Sequence, residues 1–427
     1  MKLAIVIFRN NLRIDDNYSL YNACSENDNV LGLYTTEILE GEIFGFKKCN
    51  IFREKFIKES LMNLKNNLLS YNINLCFTEV IEKSLEKLSN LYEITIYFDE
   101  EVGIEEKLFE DKLKKYKYKS YFNQTMIEPF SFDYKKSFSS FRTKAEKLDI
   151  LEPLPEINKK NFIDFETIKF EIPTIKIKNS NAILFKGGED EALKQLKNYL
   201  PKIHEYKKTR NEMSGFYNST KFSPYLAIGC VSPKRIYYEI KKQEILTHKS
   251  ESSYWIYFEL LWRDFFHLVM KQSQNKLFLK SGIKEVNYNF KSDKKILEEF
   301  FSANTQVDLI DASINELKST GWLSNRNRQL VASYFVKNLG LDWRFGAAFF
   351  ESFLLDYNPA SNYGNWAYQA YVGNDSSYRI FDIQKQSNMY NGDDYINKWL
   401  EKSKSKSKIN INYEKMIEEV KNEVFGN

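Results

Sequence analysis

Residues 319–369, STGWLSNRNRQLVASYFVKNLGLDWRFGAAFFESFLLDYNPASNYGNWAYQ, bring together groups that rarely share one surface. Thr320-Gly321-Trp322, Asn325-Arg326-Asn327-Arg328-Gln329, Asp342-Trp343-Arg344 and Asp356-Tyr357-Asn358 stand ahead of Asn362-Tyr363-Gly364-Asn365-Trp366. Fixed cations, neutral amides, two carboxylates and polarizable tryptophans suit a large, flat, anionic heteroaromatic ligand better than proton transfer at a small substrate. The spacing predicts helices over 325–338 and 342–355, with Asn325 and Arg328 on one face and Arg326 turned away. Each group also has a plainer reading: a solvated basic face for the arginines, turn making ahead of Pro359 for Asp356 and Asn358, and core packing for Trp343 and Trp366.

Upstream, helical patterns follow one another from Gly187-Gly188-Glu189 onward, at roughly 189–200, 203–213, 232–242, 252–271, 293–301 and 308–318. Residues 126–185 break any period with Glu128-Pro129, Glu152-Pro153-Leu154-Pro155 and Ile172-Pro173, which reads as an interdomain connector. Residues 1–125 alternate short β-rich runs (Leu3–Phe8, Val30–Tyr34, Ile73–Phe77, Ile94–Phe98, Lys119–Phe122) with helical stretches. That alternation predicts a Rossmann-like α/β domain with a parallel sheet, whose ligands would lie beyond the strand C-terminal ends. No G-x-G-x-x-G follows the first strand. The expected organisation is therefore an α/β domain over 1–125, a connector over 126–185, an all-α domain over 186–400 and a basic tail over 401–427, solvated around Lys402–Lys408.

The 62 Lys+Arg against 58 Asp+Glu leave a net charge of only +4, so any affinity for nucleic acid must come from a local patch. Cys24, Cys49, Cys76 and Cys230 show no C-x-x-C spacing, and His204, His248 and His267 are the only histidines. A disulfide framework, a zinc site and metal-centred hydrolysis are all disfavoured. Met1-Lys2 leads straight into one strand-length apolar run, and no run reaches the length of a membrane span. The expectation is a monomer in the cytoplasm.

Two further clusters carry chemistry. Tyr206 precedes Arg210-Asn211 and then Ser219-Thr220-Lys221-Phe222-Ser223-Pro224, where hydroxyls and a lysine would surround phosphate oxygens or simply cap a helix. The helix Tyr254–Met270 sets Glu259, Trp262, Arg263 and Phe266 on one stripe. Its carboxylate either pairs with Arg263 or hydrogen-bonds a base edge, with Trp262 as a stacking wall.

In this order, Tyr206, Ser219–Ser223, Glu259-Leu260-Leu261-Trp262-Arg263-Asp264-Phe265, Thr320-Gly321-Trp322, Asp342-Trp343-Arg344 and Asn362 to Trp366 closely resemble the photolyase/cryptochrome family. The likeness runs from Phe8-Arg9-Asn10-Asn11-Leu12-Arg13 to about Leu400. It implies an α/β antenna domain and an all-α FAD-binding domain, in which light-excited reduced flavin donates an electron to a pyrimidine dimer that splits and returns it. Ser324, Gln329 and Tyr368, with Tyr206–Met213 and Val372-Gly373-Asn374-Asp375, are similar to the cryptochrome DASH branch. That branch is associated with repair of cyclobutane dimers in single-stranded DNA and with a 5,10-methenyltetrahydrofolate antenna. Ser324 and the scarcity of histidine argue against (6-4) repair. A blue-light photoreceptor or transcriptional regulator on the same scaffold is the competing reading.

The resemblance implies that Tyr206, Ser219, Thr220, Lys221, Phe222 and Ser223 hold the flavin diphosphate and ribityl chain, with Trp255 and Arg263 close by. It places Asn325, Arg328, Asp356, Asn358 and Asn362 around the ring, and makes Trp366 and Trp343 an electron path. Glu259 would bond the base edges of the dimer and border the cofactor, Trp262 and Tyr368 would form the stacking walls, and Asn325 and Gln329 would line the same cavity. Glu101 is the antenna candidate. Three residues depart from the pattern: Asn358 and Asn11 stand where relatives have Asp, and Phe290 occupies the distal tryptophan position, with Tyr288 as a possible substitute.

Overall fold

The computed structural model describes residues 1–175, 185–400 and 411–422. Five parallel strands, β1 (Lys2–Ile7), β2 (Val30–Thr35), β5 (Asn74–Thr78), β6 (Glu93–Asp99) and β7 (Tyr118–Tyr121), form one sheet in the order β5-β2-β1-β6-β7. A small hairpin, β3 (Glu42–Ile43) with β4 (Phe46–Lys47), stands apart. Each sheet strand lies within one residue of its predicted span at either end. From Leu3 on, strand β1 is apolar because both faces are covered. Leu3, Ile5 and Ile7 meet α3 (Ile81–Leu91) and α4 (Ile104–Leu113), whereas Ala4, Val6 and Phe8 join a core shared with α1 (Tyr18–Glu26) and α2 (Ile51–Leu69).

That second core does not stop at the domain edge. Phe46 packs on Phe301 (5.2 Å) and Phe349 (5.8 Å), Phe56 packs on Tyr225 (5.5 Å), and an Arg53 guanidinium N donates to the carbonyls of Glu351 and Leu354. Near the helical domain, Leu12 N donates to Ile228 O and Arg13 to Gly229 O. Gly229 has a φ of +70°, and a Cβ there would overlap the Asn10 backbone, so the close approach requires glycine. Asn11 accepts from Arg9 N and sits beside the buried Asp99, whose carboxyl burial pushes up. An aspartate in its place would bring a second carboxylate into the same dry site.

The connector is more ordered than its composition suggests. Phe77 N donates to Thr167 Oγ1 (3.0 Å), Ile168 N donates to Phe77 O (3.1 Å), and Phe170 stacks on Phe77. The segment thereby covers the open edge of β5. The connector also contains a helix that its sequence did not predict, α5 (Phe138–Ala145), which buries Phe138, Phe141 and Ala145.

The helical domain comprises α6 (Glu189–Tyr199), α7 (Tyr206–Thr209), α8 (Ser223–Ala227), α9 (Pro233–Leu246), α10 (Glu251–Ser273), α11 (Lys294–Phe301), α12 (Asp308–Thr320), α13 (Asn325–Ser333), α14 (Trp343–Phe353), α15 (Pro359–Gln369), α16 (Ile383–Met389) and α17 (Gly392–Leu400). The helix expected over 203–213 shrinks to the single turn of α7, and that over 325–338 passes into a π segment at Tyr334–Asn338. The expected tail needs correction past residue 410. There α18 (Tyr413–Lys421) buries Met416 and Val420 and pairs Glu414 with Lys294. Lys402–Lys408 lie outside the described residues. Among the described residues no helix is long and apolar enough to cross a membrane.

Candidate functional site

Three capped helices build the first part of the site. Ser324 caps α13 by accepting from Asn327 N (3.2 Å), and Asp342 caps α14 while pairing with Arg344 (2.8 Å). Asn358 caps α15 by accepting from Ser361 N (3.1 Å), with Pro359 at the first helical position. Asp342 and Arg344 are thus structural, and Asn358 is a cap that also borders the cavity. A cavity of about 90 Å³ opens between these helices, lined by Asn325, Arg328, Gln329, Asp356, Asn358, Asn362 and Trp366. Six of these seven were predicted around one ring or beside the lesion, and Trp366 was predicted as the adjoining electron carrier. Arg328 Nη2 contacts both oxygens of Asp356 (3.0 and 2.8 Å), whose side chain is fully inaccessible. Asn362 Nδ2 donates to Ala347 O (2.9 Å), which fixes the amide so that its Oδ1 serves as an acceptor toward the cavity. Asn325 lies at the exposed rim.

Trp366 is 2% exposed and stands edge-on to Phe350 (5.1 Å) and Phe335 (5.7 Å). Its six-membered ring lies against Gly346, where a Cβ would overlap Cη2 and Cζ3. One turn away on each helix, Trp343 meets Tyr363 edge-on at 6.2 Å. The two tryptophans therefore belong to one α14–α15 seam.

The second part is the 219–223 loop. Lys221 takes a left-handed backbone (φ +55°), which turns its side chain inward. Its Nζ lies 2.9 Å from Ser219 Oγ and 4.2 Å from the centre of the Trp322 ring. Burial pushes the amine down to about 8 against the opposing pull of the Glu316 carboxylate, which forms no ion pair with it. Tyr206 and Phe222 are buried edge-on against the same ring, Tyr199, at 6.5 and 5.9 Å. Gln195 Nε2 donates to Thr220 O and holds the loop to α6. With α8 only five residues long, an anion here depends on Lys221 and the hydroxyls of Ser219, Thr220 and Ser223 rather than on a helix terminus.

The third part is α10. Glu259 pairs with Arg210, from the loop after α7, and not with Arg263, one of the two partners its spacing left open. Burial pushes the Glu259 carboxyl up against the pull of that guanidinium, which also lies over Trp255 (4.5 Å). Arg263 instead donates to the carbonyls of Gln124 and Leu226, while Asp264 accepts from Met126 N and Ile127 N. Asp264 pins the start of the connector to α10, and Arg263 ties α10 to the chain just before it and to α8. Trp262 stands perpendicular to Tyr368 (5.7 Å, 86°) and is stacked on Phe138 (3.8 Å, 12°). Its indole therefore has one face already covered.

The donor set fits FAD. A buried ammonium without a carboxylate partner answers a diphosphate. An arginine–aspartate pair, a fixed amide acceptor and tryptophan edges answer a flat polar ring.

Glu101 is not part of this assembly. It is buried, with its carboxylate accepting from the Gln124 amide. Near it, at the C-terminal ends of β1, β2 and β6, with the strand order reversing between β1 and β6, lies a cavity of about 420 Å³ that Glu101 does not line. Glu106 from α4 and Glu351 from α14 border this cavity, and burial pushes both up to about 7.

Glu101, Asp264 and Glu316 are likewise pushed up to about 7 by burial. In the folded chain these five groups hold protons between about pH 4.5 and 7 that the unfolded chain has released. His204 and His267 are pushed down and work in the opposite sense below about pH 6.5. The five carboxyls outnumber the two imidazoles, so raising the pH from 6 to 8 is expected to lower the melting temperature. Glu351→Gln should make that dependence shallower. A melting temperature that is flat or rising over this range, measured by calorimetry, would contradict the assignment.

Sequence reasoning missed Gly346, Phe138 and Glu351, and it gave Asn374 no role beyond its place in the branch motif. Gly346 alone had a signal, as the only glycine of the helix predicted over 342–355.

The family model "FAD binding domain of DNA photolyase" matches residues 255–425, and the model "DNA photolyase" matches residues 4–158. The chain is 37% identical to a cryptochrome DASH of Synechocystis sp., over 94% of this chain and 88% of that one. It is 35% identical to a cryptochrome DASH of Danio rerio, over 93% and 83%. Among solved structures, a Synechocystis sp. cryptochrome is similar with a TM-score of 0.88 and 31% identity, covering 99% of both chains. An archaeal photolyase from Sulfolobus tokodaii with two FAD molecules is similar with a TM-score of 0.77 and 26% identity, again covering 99% of both.

Proposed function

The chain belongs to the photolyase/cryptochrome family, in its cryptochrome DASH branch, and from that premise we propose that it is a light-driven, FAD-dependent lyase that splits cyclobutane pyrimidine dimers, preferentially in single-stranded DNA. The observation that carries this reading is the placing of Glu259 and Trp262 on one stripe of α10, with Glu259 tied to Arg210 and Trp262 in contact with Tyr368.

When bound, reduced FAD excited by blue light would supply the electron that opens the cyclobutane ring and would take it back. Two carbon–carbon bonds of the dimer break, with no net oxidation and no proton consumed. The residues therefore have to bind, orient and keep out water rather than shuttle protons. Lys221 and the loop hydroxyls would hold the diphosphate, and Arg328 with Asp356 would fix the ring edge. Glu259 would accept from the base edges, while Asn325 and Gln329 at the cavity rim would orient them.

Single-strand preference follows from the walls. A base must leave its stack to enter, which costs least in a single strand. One indole and one phenol repay that cost less than two indoles would, each contact contributing about 1–3 kcal/mol. A folate antenna, 5,10-methenyltetrahydrofolate, is part of the proposal. Because Glu101 is engaged with Gln124, the groups open to such a ligand at that end of the sheet are those of the 420 Å³ cavity.

Illuminating the reduced protein with dimer-containing oligonucleotides, single- and double-stranded, and counting restored thymines tests the reading. Restoration should be greater on single strands. No light-dependent restoration on either would favour the photoreceptor, a reading that the covered face of Trp262 also supports.

Phe290 ends the tryptophan path, but Tyr288 lies 5.8 Å from it and 6.4 Å from Tyr371. Photoreduction of the bound flavin is expected to be slow, and slower still in Tyr288→Phe. Rapid, complete bleaching of the flavin band in that variant would remove Tyr288 from the path.

A further inference from the structure

We propose that Phe138, on the connector helix α5, is a positioning residue for Trp262 and thereby sets how strongly the site prefers a pyrimidine dimer to undamaged bases; this rests on the lesion reading of the site given above. Phe138 is buried and parallel to the indole at 3.8 Å. Phe258, one turn before Trp262 on α10, and Phe265, nearly one turn after it, both meet Phe138 edge-on, at 5.2 and 5.6 Å. The ring is therefore boxed and cannot slide along the indole.

The start of α5 is also held from the far side. Asn374 Nδ2 donates to the carbonyls of Tyr134 (2.6 Å) and Lys136 (2.9 Å). Asn374 lies just beyond α15, the helix that carries Tyr368, so one strap links the supports of both proposed walls. A lesion base has at most the indole face opposite Phe138. Stacking there extends a pile of two rings already ordered by folding, so the freedom of the indole is not lost again on binding. An undamaged strand that stays outside the cavity gains nothing from this arrangement.

The test uses the full-length, flavin-loaded protein in the dark, with 5-fluorotryptophan in place of tryptophan. Trp262→Phe identifies the Trp262 fluorine resonance. In Phe138→Leu that resonance should shift and broaden. The preference for a thymine-dimer oligonucleotide over the undamaged single strand should fall by about fivefold or more, with affinity for the undamaged strand unchanged. Phe138→Tyr, which keeps the ring, should restore both.

Asn374→Ala, which loosens the strap without opening the core, should act in the same direction, and it carries the test if Phe138→Leu does not fold. A resonance that stays in place, or a preference that survives in the variants, overturns the positioning role alone. A general loss of flavin, melting temperature and affinity for both strands makes Phe138 a core residue only, and also overturns it. If the unmodified protein shows no dimer preference, the lesion reading falls and takes this role with it.

Discussion

Arg328→Ala is expected to lower the melting temperature by several degrees and to leave the purified protein nearly colourless. Asp356 has no accessible side-chain surface, and its carboxylate is met at both oxygens by Arg328 Nη2. Removing the guanidinium leaves a buried charge without its partner, a change that costs about 3–5 kcal/mol when both partners are dry. Arg328 retains 22% exposure, so the lower end of that range applies. The same deletion removes what is, among the described residues, the one cation lining the cavity of about 90 Å³. Flavin retention should therefore fall at least about tenfold, as measured by the ratio of flavin to protein absorbance. The double variant Arg328→Ala/Asp356→Asn separates the two effects. It should regain most of the melting temperature, because no buried charge remains, and little of the flavin. Were both to return together, Arg328 would matter only through Asp356.

Gly346→Ala should destabilise the protein although it improves helix propensity by about 1 kcal/mol. The added methyl would overlap two carbons of Trp366, which is closed in on its other sides by Phe335 and Phe350. Such overpacking costs about 1–3 kcal/mol, so the net sign is set by the indole and not by the backbone. Trp366 also lines the cavity, and its displacement should perturb the near-ultraviolet circular dichroism and the flavin band together. A variant that melts at or above the temperature of the unmodified protein, with both spectra unchanged, would show that this contact is loose.

What the sequence disclosed follows from how local each signal is. Four of the five sheet strands were legible because strands buried on both faces are largely apolar runs, as Leu3–Phe8 is, whereas the edge strand β7 is exposed to half-buried and was read from the β–α alternation. Helix α5 was not, because eight residues hold too little period to stand out among the aromatics of 130–141. Helix α15 went unpredicted although its signal was present: Asn358 and Pro359 look like a turn but together cap and start a helix. Asn325, Arg328, Asp356 and Asn362 line one cavity, of which spacing had joined only Asn325 and Arg328, while Asp356 and Asn362 came in on the resemblance. Of the two readings left open for Glu259, neither named Arg210, because Arg263 is four residues away and Arg210 is forty-nine, and only the fold brings the distant one closer.

The shared core also bears on synthesis. Phe46 and Phe56 emerge early, yet the rings that cover them, Tyr225, Phe301 and Phe349, come much later in the chain. At translation rates of about 5–20 residues per second, roughly 15–60 s pass between Phe56 and Phe349. During that interval the nascent α/β domain presents bare aromatic side chains to its surroundings. Its yield in a cell should then depend on chaperone supply during elongation, in a way that the finished molecule gives no sign of.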